Sequence, residues 1–154
     1  MYSFLQSDLT ALILKREALA QEIARCGQEI GDANQQSSET WHDNAPMDVV
    51  QRQFEQLHVR YRDINNVIRQ AVVVKPDKDA KKVCVGSEVV FADQDGVERS
   101  VKIGSYTPSE ESGAISYVAP IAKALMGAEV DDTVEGTVVG REVEYVIVRI
   151  TYWA

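Results

Sequence analysis

The side chains richest in chemistry crowd one polar stretch, where Glu39, Trp41, His42 and Asp43 fall within five positions and Asp48 and Arg52 follow. Each has an ordinary use. Asp43 or Asn44 can cap a helix that begins just beyond, contributing ~1 kcal/mol. Asp48, in that helix's first turn, complements its dipole, and Glu39 can be a solvated loop acid. Trp41 can fold back on its own support or stack on an unpaired base. Arg52, Arg60 and Arg62 can guide a nucleic-acid backbone or form a charged solvent face. His42 is a poor ligand for a hard cation, which prefers oxygen.

The elements that must hold this stretch are two apolar heptad runs. The first places Leu9, Leu12, Leu19, Ile23, Cys26 and Ile30 on one seam, with Arg16 at the remaining position. The second places Val50, Phe54, Leu57, Tyr61, Ile64, Ile68 and Ala71. Alternating steps of three and four are the spacing of helices that pack along their length. One stripe per run can be covered by one partner helix, so the economical fold is an antiparallel coiled-coil hairpin, about 30 to 35 Å long at ~1.5 Å per residue. Such a rod catalyses nothing along its flanks. It can carry its tip, Gly31 to Pro46, where a globule cannot reach. Ser7 or Asp8 is expected to cap the first helix, Gly31 and Asp32 end its apolar pattern, and Pro46 suits the first turn of the second.

A different grammar follows. Val72-Val73-Val74 is β-branched, and residues 76–82 read as a charged linker with Pro76 biased away from helix. Strands are expected over Val83 to Ala92, Val97 to Ile103, Ala114 to Val118, Thr133 to Val139 and Val143 to Tyr152. Asp93-Gln94-Asp95-Gly96 and Gly140-Arg141 mark the turns. Pro120 opens a brief helix, Ile121 to Met126, and Gly127 stops it. The expected class is α+β: a hairpin over 1–75, a linker over 76–82, and an antiparallel sheet domain with one short helix over 83–154.

The totals narrow the partners. The chain has 154 residues, 45% of them hydrophobic, and a net charge of −8. Residues 1–76 hold eight basic and ten acidic groups, and residues 77–154 hold eight and fourteen. Independent binding to duplex DNA needs a basic surface and is not expected. No apolar run approaches the ~20 residues of a membrane span, and MYSFLQSDL has no signal-peptide pattern. Cys26 and Cys84 read as separate thiols in a reducing cytoplasm.

The stretch Ile115-Ser116-Tyr117-Val118-Ala119-Pro120-Ile121-Ala122-Lys123-Ala124-Leu125-Met126-Gly127 resembles the carboxy-terminal signature of the bacterial GreA/GreB transcript cleavage factors. The acidic Glu129-Val130-Asp131-Asp132 and the Glu142-Val143-Glu144-Tyr145 strand agree with it. At the hairpin tip, Asp43-Asn44-Ala45 is similar to the family's acidic-Asn-Ala motif. The resemblance implies an FKBP-like carboxy-terminal domain that docks on the largest subunit of RNA polymerase at the rim of its secondary channel. Val118, Pro120, Ile121 and Ala122 would be the docking residues. The hairpin would enter the channel, where Asp43 and Glu39 would help hold a magnesium ion shared with the polymerase. Trp41 and Arg52 would meet the 3′ end of the nascent RNA. The factor would not itself be an enzyme.

The tip departs from the family pattern in one respect. Cleavage-active members present two acids three positions apart; Asp43 takes the second place and Thr40 the first, with Glu39 beside it. Another register pairs Gly31-Asp32 with the family's Gly-Asp and leaves an insertion before Asp43. The competing reading is a non-cleaving modulator of the same channel, of the Rnk-like or anti-Gre type. A peptidyl-prolyl isomerase is a third reading, on fold alone.

Overall fold

The structure is a computed structural model that describes residues 1–36, 45–79 and 81–154. Its contacts group Leu12–Arg69 into one unit and Met1–Ala11 with Gln70–Ala154 into another.

The first unit is a helical hairpin of α1 (Gln6–Gln36) and α2 (Ala45–Arg69). Arg16 Nη1 donates to Asn65 Oδ1 at 3.4 Å, and the Cys26 thiol lies 3.9 Å from the Val50 carbonyl oxygen. Low numbers meet high ones, so the helices run antiparallel. The expected seam residues of both helices are buried or half-buried, with Leu12, Cys26 and Leu57 deepest. One partner covers one stripe, which leaves the remaining seam side chains half-open. Gly27 lies under the Phe54 ring, where an added Cβ would sit 3.4 Å from it. The apolar pattern of α1 ends at Gly31 as expected while the helix itself runs on to Gln36, since a mid-helix glycine costs only about 1 kcal/mol against alanine. One detail differs from expectation. Ala71 leaves the helical seam and begins a strand.

The second unit contains two sheets. In the smaller, β1 (Tyr2–Phe4) pairs in parallel with β2 (Ala71–Val73). The larger is ordered β5-β4-β3-β7-β6, from β3 (Ser87–Ala92), β4 (Glu98–Gly104), β5 (Ile115–Ser116), β6 (Thr133–Val138) and β7 (Arg141–Tyr152). It is not wholly antiparallel: β5 joins β4 in parallel, after a crossing loop instead of a hairpin. The first expected turn forms, and the second falls one residue earlier than expected, at Val139-Gly140, because Arg141 already pairs with Val138. Asp93 caps the first by accepting from the amides of Asp95 and Val97, each at 3.0 Å, and Gly140 in the second has a positive φ. Strand β3 begins at Ser87, later than expected. The segment before it turns through Gly86 (φ 97°), and the Cys84 amide bonds the Ser87 hydroxyl at 2.9 Å.

The core gathers Val89, Phe91, Ile103, Tyr145 and Ile147 from the sheet beneath Leu125 of α3 (Pro120–Leu125). Helix α3 approaches β6 so closely that a Cβ on Gly136 would lie 2.6 Å from the Ala124 Cβ. Residues at the start of α1 belong to this unit too. Asp8 is not a helix cap. The helix begins two residues earlier, and the Asp8 carboxylate, 1% exposed, turns away to accept from the Ser105 hydroxyl, the Ser105 amide (3.3 Å) and the Ser109 amide (3.0 Å). The Ser105 hydroxyl oxygen in turn accepts from the Leu5 amide at 2.8 Å. Both cysteines are free, Cys26 buried and Cys84 half-buried.

Candidate docking site

A serine fixes the surface turn that precedes α3. The Ser116 hydroxyl donates to the Tyr106 carbonyl at 2.7 Å, and the Ser116 carbonyl accepts from the Ala119 amide at 2.9 Å. The Val118 amide reaches the Ser116 oxygen at 3.5 Å. These bonds close a tight corner and turn Val118 outward, leaving it 37% exposed. Tyr117, next to it, is held from the other side, its hydroxyl accepting from the Ser3 amide at 3.3 Å. Its ring belongs to an aromatic group in which Tyr2 and Tyr106 stack at 4.0 Å and Tyr106 and Tyr117 lie 6.5 Å apart. The Tyr106 phenol is raised above its ordinary range, first by charge repulsion from Tyr2, then by burial and the Tyr2 hydrogen bond.

Pro120 follows in the first turn of α3, where a missing amide leaves no acceptor unpaired. It is exposed. Ile121 is half-buried against the core. Ala122 is 0% exposed, so it builds the core and offers a partner nothing. Of the four expected docking residues, then, Val118 and Pro120 are exposed, Ile121 is half-buried, and Ala122 does not reach the surface. The helix ends as its stop signal requires: Gly127 has φ 79°, and its amide donates to the Val83 carbonyl at 2.8 Å.

The tip residues Glu39, Thr40, Trp41, His42, Asp43 and Asn44 lie outside the described residues. Arg52 is exposed on α2 and lines a concavity of about 480 Å³ with Arg60, Glu22, Val49 and Leu57. Among the described residues no cluster of three or more His, Cys, Asp or Glu side chains could hold a metal ion. No described helix is long and apolar enough to cross a membrane.

Residues 77–152 match the family model described as transcription elongation factor GreA/GreB, C-terminal. A transcription elongation factor GreA from Nautilia profundicola is 31% identical over 140 residues, covering 89% of this chain and 81% of that protein. The chain belongs to the GreA/GreB family. A GreA from Lachnoclostridium phytofermentans is 28% identical over 151 residues, covering 95% of this chain and 88% of that one. Among solved structures, GreA factor homolog 1 of Thermus thermophilus overlays 97% of each chain with a TM-score of 0.46 and 18% identity, a likeness too low to support any argument.

The GreA/GreB match contains the whole corner from Ser116 to Gly127. The alignments to the two GreA proteins are too long for the sheet unit alone, so they extend into the hairpin. What the sequence reading missed in this Gre-family chain is the support of the turn before α3 by Ser116 and Tyr117, and the bonds of Asp8 to Ser105 and Ser109. A serine three residues ahead of an Ala-Pro helix start is a readable turn signal. Nothing local reveals that Asp8 bonds residues about a hundred positions away.

Proposed function

We propose that this chain regulates transcription elongation by binding bacterial RNA polymerase in the cytoplasm. Val118 and Pro120 dock on the largest subunit at the rim of the secondary channel, and the hairpin tip addresses the polymerase active site. The observation that most supports this reading is the docking turn itself. In a chain of this family, the two surface residues of the family's docking motif stand on a corner held by Ser116 and Tyr117. A preformed corner loses little freedom when it is covered.

In the tip sequence, Asp43 and Glu39 offer carboxylate oxygens. That donor chemistry fits magnesium, which takes one or two carboxylates together with phosphate oxygens and water. Such an ion supplies charge that two-metal phosphodiester hydrolysis requires. The chain's own residues would position it: Asp43 and Glu39 by ligation, Trp41 by stacking on the 3′ base, and Arg52 by facing the RNA backbone. The cleaving chemistry stays with the polymerase, and the factor alone is not an enzyme. Thr40, at the place of the first acid in cleavage-active relatives, favours a second reading. In it the chain occupies the channel and modulates transcription without shortening RNA.

Mixing the chain with stalled, backtracked elongation complexes tests both. Binding with magnesium-dependent transcript shortening, lost in Asp43→Ala while binding persists, supports the first. Binding with altered elongation and no shortening supports the second. Absence of binding and of shortening would remove both.

A further inference from the structure

Helix α3 has two unlike faces. Ala122 and Leu125 point into the core at 0% exposure. Pro120 and Lys123, three apart on this short helix, are both exposed and share its outer face, and Met126, the residue just past its end, is exposed too. Val118 precedes them at the docking corner. Three of the four side chains are apolar, and Val118 and Met126 are each 37% exposed. Lys123 is the exception: an exposed cation that lies in sequence between Pro120 and Met126, on a chain of net charge −8. The ion pairs among the described residues are Lys82 with Glu129 and Arg99 with Asp93, and Lys123 takes part in neither.

That arrangement constrains what can cover it. Burying an ammonium without a counter-charge is strongly unfavourable. A partner that fits the apolar residues must therefore bring an anion opposite Lys123. A nucleic-acid phosphate would supply the charge but would gain nothing from Val118, Pro120 and Met126. A protein surface with an aspartate or glutamate on an apolar ridge satisfies all four. Met126 suits such a contact, because its unbranched thioether adapts to an irregular neighbour.

We infer that Val118, Pro120, Lys123 and Met126 form one docking strip for an apolar, acid-bearing surface of RNA polymerase, with Lys123 reading a partner carboxylate. This rests on the docking reading above, and extends it by two residues and by the chemistry of the partner.

The test is binding of the full chain to bacterial RNA polymerase, at low and at physiological salt. Lys123→Glu should weaken binding about tenfold at low salt and flatten its salt dependence, since a lost ion pair acts mainly through charge. Lys123→Arg should restore both. Met126→Ser should weaken binding severalfold and leave the salt dependence unchanged. Unfolding curves that match the parent's confirm that these surface variants fold. If the parent binds and Lys123→Glu binds equally at both salts, the carboxylate assignment is wrong and the docking reading survives. If the parent does not bind at all, the docking reading fails and this inference falls with it. If labelled single-stranded RNA alone binds the chain and Lys123→Glu abolishes that, the anion is a phosphate and the protein-carboxylate assignment is overturned.

Discussion

The hairpin and the docking corner keep their residues in place by different physics. In the hairpin, a row of interchangeable apolar side chains is half-buried between α1 and α2, and among the described residues Arg16 to Asn65 and the weak Cys26 thiol contact to the Val50 carbonyl cross it. In the sheet unit, position depends on a few directed bonds, those of Ser116 and Tyr117 at the corner and of Asp8 to Ser105 and Ser109, and on the close approach of Ala124 to Gly136. A repeating stripe tolerates substitution because neighbours share the load. A directed network does not, since each donor has one assigned acceptor.

The sharpest way to break the comparison is Asp8→Ala. It leaves the amides of Ser105 and Ser109 and the Ser105 hydroxyl without their buried acceptor. An unsatisfied buried group costs ~1–3 kcal/mol, so the loss should be at least about 2 kcal/mol by urea unfolding. The same truncation at Arg16, half-exposed in the hairpin, should cost well under 1 kcal/mol, in the range of exposed polar contacts. Equal losses at the two sites would erase the distinction between the regions.

Next in size is Gly136→Ala. The new methyl would meet the Ala124 Cβ at 2.6 Å, so α3 must shift from β6. Overpacking of this kind costs ~1–3 kcal/mol. Because α3 carries Pro120, affinity for polymerase should fall along with stability. A variant that keeps full affinity while losing stability would show that the corner does not depend on the seat of α3.

Much of this was legible beforehand, and the exceptions have a common cause. The 3–4 spacing of Leu12, Leu19, Ile23 and Cys26 against Val50, Phe54, Leu57 and Tyr61 announced the hairpin, because a helical stripe is a local signal. The Asp93–Gly96 turn was equally local. The parallel pairing of β1 with β2 was not, since three residues such as Tyr2-Ser3-Phe4 carry no strand signature until a distant partner, Ala71–Val73, is known. Asp8 looked like a cap because an acid before an apolar run usually is one; its true partners lie about a hundred residues on. The resemblance names Ala122 among the docking residues as part of one motif, yet its side chain is buried. Its spacing of three from Leu125 already marked it as inward-facing.

The smallest expected effect runs in the opposite direction. Gly31 lies inside α1, has no neighbour within 4 Å of an added Cβ, and does not adopt a positive φ. Gly31→Ala therefore meets no steric objection and removes backbone freedom from the unfolded chain, a gain of about 0.5–1 kcal/mol. Hydrogen exchange of the α1 amides beyond Ile30 should slow, since that part of the helix has no buried stripe to hold it and depends on helix propensity. Exchange in the sheet unit should not change. If Gly31→Ala also protected the amides of Ser105 and Ser109, the two regions would be energetically coupled, and the division of the chain into a tolerant reach and an exacting grip would have to be abandoned.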